Sequence, residues 1–329
     1  MPPKMRAFIY LLIAAFIWGF SYPIGRMALE HLSPFAYGGL RYMFGSLALM
    51  PLAWRWRRRP APMAYAGNDS PRLWLWGGLL SGLCLSVGAF LQLYGLAQSS
   101  AGKVAFITAL YVSMVPILAF IAGQMPRLLV LAGLGVGLAG LYLLTGGAGG
   151  FHKGEGLILA ADVFWALQVL ITGRLAARVN TWLFSLAQAM TGCAVTLILA
   201  VLTGNMPGWG LFLQTLPFTM WGILSVGLAY TCQTVAQRDV SSTSAALVLP
   251  LQSVIGSAAG ALMLGEQMTA GMIVGALIIV AGCIIAQFAR EPVLITGEHR
   301  LYRPILRLRV ALSLFLGLGT AGLLIWALT

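Results

Sequence analysis

Charge is what this sequence has least of. Eight acidic and twenty basic side chains stand among 329 residues, so that 9% of the chain is charged. A soluble domain carries about a quarter charged residues, and a mean hydropathy of +0.89 points the same way, to a chain whose solvent is lipid. The three histidines (His31, His152, His299) are far apart, with no HExxH spacing, and no two acids form a pair. Metal ligation and acid–base catalysis therefore lack their usual residues, no nucleophile elbow is present, and neither a metal nor a cofactor nor an enzymatic activity is expected. The four cysteines (Cys84, Cys193, Cys232, Cys283) lie singly inside apolar runs without CxxC spacing, which reads as packing rather than disulfide or zinc chemistry. The net charge of +12 comes from Lys and Arg scattered between apolar runs, without a basic face or a nucleic-acid motif, so nucleic acid is excluded as a partner.

What the chain does have is apolar length. A bilayer-spanning helix needs about 20 apolar residues. Such runs occur at 7–28, 34–54, 73–96, 100–123, 127–145, 156–175, 181–203, 217–237, 242–264, 270–289 and 309–328. Only the connections 55–72 and 290–308 are long, which leaves no room for a separate soluble domain. The first run lacks a small-x-small cleavage site and reads as a retained membrane helix rather than a signal peptide.

Basic residues give the orientation. With a cytoplasmic N-terminus, Lys4, Arg6, Arg55, Arg57, Arg58, Arg59, Arg72, Arg127, Arg174, Arg178, Arg238, Arg290, Arg300, Arg303, Arg307 and Arg309 fall inside. Lys153 alone falls in an outside loop, and Arg26, Arg41 and Lys103 remain within spans. The expected location is the plasma membrane, multi-pass, in a bacterium the inner membrane.

The stretch 99–144 recurs at 241–286. SSAGKVAF lies over SSTSAALV, Gly123–Gln124 over Gly265–Glu266, and Gly133 and Gly140 over Gly275 and Gly282. Further upstream, IWGFSYPIGRMA (17–28) lies more weakly over FWALQVLITGRLA (164–176), pairing Trp18 with Trp165. Five spans start inside and the next five start outside, so the expected architecture is an all-α polytopic membrane protein of two inverted five-helix repeats. The boundaries are 1–146 and 147–291, followed by a basic cytoplasmic linker and an eleventh C-terminal helix within 292–329. Inverted repeats surround midplane substrate sites in transporters.

Two GxGxxG matches (Gly135–Gly140, Gly317–Gly322) sit inside spans and follow no strand, so they are packing surfaces rather than nucleotide loops. Gly78/Gly82, Gly133/Gly137, Gly256/Gly260 and Gly271/Gly275 read likewise. Intramembrane charges are candidate functional groups. Asp162 is either a proton-coupling or ammonium-binding carboxylate or a structural one. Lys103 either snorkels to the outer interface or holds a substrate carboxylate. Arg41 lies too deep to snorkel easily, and Arg26 has Glu30 four residues on, in ion-pair register. Candidate cavity residues are Trp18, Tyr22, Arg41, Gln92, Tyr94, Lys103, Tyr111, Asp162, Trp165, Gln168, Tyr230 and Gln252, with Thr108 and Gln233 as further polar positions. Of the aromatics, Trp18 and Trp165 lie near mid-span, where interfacial anchoring does not explain them. Pro116 and Pro250 fall inside spans and are candidate kinks.

WGFSYPIGRMALEHLSP (18–34), LRYMFGSLAL (40–49), SSAGKVAFITALYVSMVP (99–116) and SSTSAALVLPLQSVIGSAAGALMLGE (241–266) carry a resemblance to the EamA family of the drug/metabolite transporter superfamily, over about 6–290. That resemblance implies ten helices in two inverted repeats, with helices one to four and six to nine around a central cavity and five and ten outside. It also implies transport of amino acids, cofactors, sugars or other small metabolites. Gln252 departs from a glutamate often found in the ninth helix, which puts a proton-linked role there in doubt, and the eleventh helix has no family role. The expected function is a permease for a small amino-acid-like solute, exporting by alternating access, with the lipid bilayer and a coupling proton as further partners. A sugar or nucleotide-sugar carrier, and a polytopic enzyme or scaffold, are the alternatives.

Overall fold

A computed structural model describes residues 2–57, 71–111, 114–115, 118, 128–144, 152–240, 242, 245 and 248–287. The predicted linker and eleventh span, most of the 55–72 connection, Pro116 and Gln124 lie outside the described residues. Among the described residues there is no strand. The helices are α1 Pro3–Ala28, α2 Pro34–Trp56, α3 Pro71–Ala97, α4 Ala101–Thr108, α5 Leu128–Leu144, α6 Lys153–Leu175, α7 Thr181–Leu202, α8 Trp209–Ala236, α9 Leu251–Leu264 and α10 Ala270–Gln287. α1, α3, α6, α7 and α8 are each long and apolar enough to cross a bilayer. α8 begins at Trp209, ahead of the predicted 217, and carries Pro217 within its length.

The helix starts obey local chemistry. Pro34 occupies the first turn of α2, where its missing N–H is no loss, and the Ser33 hydroxyl accepts from Ala36 N at 3.2 Å. Ser100 does the same for Lys103 N (3.3 Å) on α4, and the Asn180 side chain accepts from Trp182 N (3.1 Å) and Leu183 N (3.2 Å) on α7. α4 is interrupted after Thr108 by a turn at Ala109–Leu110, and a matching turn at Leu249–Pro250 precedes α9. The predicted kink at Pro250 thus has a counterpart in the first half several residues before Pro116.

Contacts at the helix ends define two faces. Arg6 pairs with Asp239 at 2.9 Å, Asn180 Nδ2 donates to the Trp56 carbonyl at 3.1 Å, and Leu175 lies against Gly77. One face therefore collects the starts of α1, α3 and α7 with the ends of α2, α6 and α8, and with them most of the described arginines. On the opposite face Arg26 Nη1 donates to the Ala97 carbonyl (2.9 Å), Ser99 Oγ donates to Glu155 Oε1 (3.2 Å) and Ala101 N donates to Glu266 Oε1 (2.6 Å). α1 and α6 accordingly run in opposite senses, as do α2 and α7, α3 and α8, and α4 and α9. The local Arg26–Glu30 pair expected from spacing is replaced by the Ala97 carbonyl, an acceptor that helps satisfy the end of α3.

The interior packs α1 on α8 and α9, α6 on α3 and α4, α2 on α7 and α8, and α3 on α6 and α7. In lipid, association between helices relies on close packing rather than on expulsion of water, and small residues permit it. α5 and α10 meet along a close glycine seam. A Cβ on Gly140 would lie 2.7 Å from the Gly275 carbonyl, one on Gly275 would lie 2.5 Å from Leu144 N, and one on Gly282 would lie 2.6 Å from the Gly133 carbonyl. Gly78 and Gly82 of α3 let Ala187 and Thr191 of α7 approach, while Gly256 admits Tyr22. Gly271 does not belong to this set, because among the described residues only Thr269, two residues away, comes within 4 Å of its Cβ position.

Overpacking such a seam costs about 1–3 kcal/mol. Gly140→Val is expected to lower the thermal midpoint of the purified protein by several degrees. Gly135→Ala, with no described residue within 4 Å of its Cβ position, should leave it unchanged or slightly raised. Equal midpoints for the two variants would show that the seam does not hold α5 to α10.

Candidate functional site

Seven helical regions converge on one cavity. α1 supplies Trp18, Ser21 and Tyr22, α2 supplies Arg41, and α3 supplies Gln92, Leu93 and Leu96. Thr108 and Tyr111 come from the interrupted stretch of α4, Trp165, Gln168 and Val169 from α6, Tyr230 and Gln233 from α8, and Gln252 from α9. The cavity measures about 60 Å³, room for a few water molecules at about 10–15 Å³ each on this measure.

Its walls are aromatic. Trp18 and Tyr230 lie 4.8 Å apart between ring centroids, tilted by 54°, and Trp165 faces Tyr230 at 6.4 Å. Trp18 Nε1 donates to the Ser225 carbonyl at 3.0 Å. Ser225 belongs to a π-helical turn, Ile223–Leu228, inserted in α8, an irregularity frequent beside functional sites. Just before that turn, a Cβ on Gly222 would collide with the backbone of Arg41, so α2 and α8 touch main chain to main chain at the cavity.

Polar groups are few and partly unsatisfied. Gln92 Nε2 donates to Thr108 Oγ1 (3.0 Å), Gln168 Nε2 to Thr172 Oγ1 (2.9 Å), and Gln233 Nε2 to Gln168 Oε1 (3.4 Å). Trp165 Nε1 and Gln233 Oε1 are buried with no partner among the described residues. Arg41 is 8% exposed, its guanidinium carbon 5.7 Å from the centroids of both Tyr37 and Tyr42, and its Nε has no hydrogen-bond partner among the described residues. Cation–π contact with two rings offsets part of the cost of holding that charge away from water.

Asp162 is fully buried, and neither carboxylate oxygen has a partner among the described residues. It lies three residues before Trp165 on α6, on the same helical face, within electrostatic reach of the Tyr22 hydroxyl. The other acids among the described residues are exposed (Glu30), ion-paired (Asp239) or bound to backbone amides (Glu155, Glu266). Arg6–Asp239 is the one ion pair among the described residues, so Arg41 and Asp162 have no opposite charge within 4.0 Å there.

Of the residues chosen from sequence, Trp18, Tyr22, Arg41, Gln92, Tyr111, Trp165, Gln168, Tyr230 and Gln252 line this cavity, as do Thr108 and Gln233. Asp162, Tyr94 and Lys103 stand outside its wall. Asp162 lies sealed behind it, one turn nearer the face with fewer arginines. Tyr94 follows Gln92 by two residues, which on a helix turns it about 200° away, and it packs edge-on against Phe35 (5.8 Å) and beside Phe90 (4.5 Å). Lys103 precedes Thr108 by five residues, about 140° around α4, and is half-buried near the helix start. Ser21, Leu93, Leu96 and Val169 were not anticipated. Ser21 is legible as the residue one turn on from Trp18, but the apolar three carry no signal that separates them from packing residues.

The chain is similar to known proteins. The family model described as "EamA-like transporter family" matches residues 5–146 and 152–288. A Bacillus subtilis protein named "Uncharacterized transporter YvbV" is 25% identical over 265 residues, 78% of this chain and 84% of its own. An "Uncharacterized transporter" of Archaeoglobus fulgidus is 25% identical over 167 residues, covering 50% of this chain and 48% of its own, about half the length of that relative. A solved crystal structure superposes with a TM-score of 0.63 at 18% identity, over 88% of this chain and 99% of that one, which bears on the fold alone.

The two indoles that line the cavity are expected to behave differently. Trp18→Phe removes a hydrogen bond to Ser225 and should destabilise the purified protein by about 1 kcal/mol. Trp165→Phe removes no such bond and should leave the thermal midpoint nearly unchanged. A larger loss for Trp165→Phe would mean that its indole N–H is already engaged.

Proposed function

Because the chain belongs to the EamA-like transporter family, we propose that it exports a small amino-acid-like metabolite across the bacterial inner membrane by alternating access. The observation that carries this reading is Arg41, a buried guanidinium in the wall of an aromatic cavity, with the Asp162 carboxyl buried behind that wall and no ion pair to either among the described residues. Arg41 offers a guanidinium to a carboxylate, and Asp162 stands on the same helical face as Trp165 with a free carboxylate. An isolated buried charge is strongly unfavourable, and intramembrane charges of this kind mark substrate or ion pathways.

Two inverted five-helix halves, 1–146 and 147–291, supply the moving parts of this reading. Their support is the exchange of packing partners when α1–α5 are renumbered as α6–α10. The α1–α8 contact becomes α6–α3, α1–α9 becomes α6–α4, α2–α8 becomes α7–α3, and α2–α7 and α5–α10 map onto themselves. The opposite senses of α1 and α6, and of α2 and α7, support the inversion. A cavity with room for a few water molecules would widen to admit a larger solute if the two halves rock apart. Concentration of arginines on one face supports a cytoplasmic N-terminus.

Asp162 is the proposed site of the coupling proton, since its carboxyl has no hydrogen-bond partner among the described residues. A sugar or nucleotide-sugar carrier is the second reading, in which Arg41 would take a phosphate; it leaves the Asp162 carboxyl, buried behind the wall, without a role. Membrane-enzyme and scaffold readings have no residue set in their favour, and the named relatives are transporters.

Amino acids and related zwitterions are expected to raise the thermal midpoint of the purified protein and to show saturable flux in proteoliposomes. Arg41→Gln should weaken binding of carboxylate-bearing solutes about tenfold or more, the worth of a charge-assisted hydrogen bond, while Lys103→Met leaves it within about twofold. Equal losses in the two variants would move the carboxylate site to Lys103. Asp162→Asn should abolish the response of flux to an imposed pH gradient; an unaltered pH profile would make that carboxylate structural.

A further inference from the structure

Glu266 occupies the one position of the closing Gly-Gln/Gly-Glu repeat where the halves differ in charge, with Gln124 as its counterpart. Its setting is built in detail. Gly265 ends α9 in the left-handed region, at φ 66°, which only glycine adopts without strain and which turns the next residue back along the helix. The Glu266 carboxylate then reaches across to the other half of the chain. Oε1 accepts from Ala101 N at 2.6 Å and Oε2 from Gly102 N at 2.9 Å.

These amides open α4 and have no partner inside that helix. Bonds from them to an ionised carboxylate are charge-assisted and lie at the positive end of the helix dipole. Neighbouring glycines leave space for the carboxylate. A Cβ on Gly260 would lie 2.9 Å from Oε2, and one on Gly102 would lie 3.4 Å from it.

The bond joins two elements that also line the cavity: Thr108 ends α4, and Gln252 stands in α9. Both helices are interrupted at cavity level, at Ala109–Leu110 and Leu249–Pro250, so the segments above the interruptions can swing apart. Glu266 thus joins the first half to the second at the arginine-poor face. We propose that Glu266 is a latch that holds the arginine-poor face closed, bound to the α4 amides in this conformation and released when that face opens. The proposal rests on the alternating-access reading and names one residue that biases it.

The test uses the full-length chain in liposomes, with the natural cysteines replaced by alanine and a reporter, Val169→Cys, in the cavity wall. A membrane-impermeant maleimide is applied from either side. Glu266→Gln and Glu266→Ala are expected to label at least about fivefold faster from the arginine-poor face, with labelling from the arginine-rich face unchanged or slower. Gly260→Ala, which keeps the carboxylate but crowds Oε2, should shift the rates in the same direction and serves where a Glu266 variant does not fold. Unchanged rates in all the variants that fold, or rates that rise equally from both faces, would overturn the latch and leave alternating access standing. A parent chain labelled from one face alone, whatever is done to Glu266, would overturn both.

Discussion

An ion in an apolar chain needs a partner, and the way this protein supplies partners organises everything else in it. At one rim Arg6 has Asp239. At the other, Arg26 has the Ala97 carbonyl, Glu155 has Ser99 and the His152 amide, and Glu266 has the amides that open α4. Each of these contacts joins different helices or the turn between them, so the scarce charges tie the helix ends together. Between the rims the helices depend on close contact, through glycines that bring α5 to α10 and α3 to α7. Arg41 and Asp162 are left as buried charges without a counter-ion among the described residues, and both lie at or against the cavity.

That distribution separates stability from the proposed activity. Pairing Arg41 with an acid at salt-bridge distance would satisfy the guanidinium and leave nothing for a carboxylate solute to gain. Tyr37 and Tyr42 instead hold their ring centroids 5.7 Å from the guanidinium carbon, which lowers the cost of the charge without neutralising it. Gln188, which lies over Arg41 when the Trp18/Trp165 register is carried into the next helix, serves packing instead. Its Oε1 accepts from Ser81 Oγ at 2.9 Å and pins α7 to α3. Similar halves thus carry unlike chemistry at matching positions, one side of the pair lining the cavity and the other fastening helices.

Much of this was legible in the chain. Apolar length located the helices, Ser and Pro marked several of their starts, and the repeat put Trp18 and Trp165 at one level, where both now face Tyr230. The misplacements have geometric causes. Tyr94 and Lys103 were chosen by residue type, whereas counting around α3 from Gln92 and around α4 from Thr108 would have turned both away from the cavity. Arg26 was paired with its sequence neighbour, but the Ala97 carbonyl is brought to it by tertiary packing that no local pattern encodes. Leu93, Leu96 and Val169 are apolar among apolar neighbours, and only the assembled bundle distinguishes cavity wall from core.

Motion, on the proposed mechanism, has a natural level at which to occur. Three irregularities fall beside the cavity rather than at the rims: the turns at Ala109–Leu110 and Leu249–Pro250, and the π-helical turn of α8 next to Arg41. Irregular backbone within a membrane span is tolerated where protein or a cavity surrounds it, and such points let a helix bend without losing its remaining hydrogen bonds. Rim contacts are few, polar and discrete, so they can break as a set at one face while the glycine seams persist. A bundle that bends at its middle and unfastens at one end would widen a cavity of about 60 Å³ toward that end alone. The same few ions that hold the helices together would then decide which end opens.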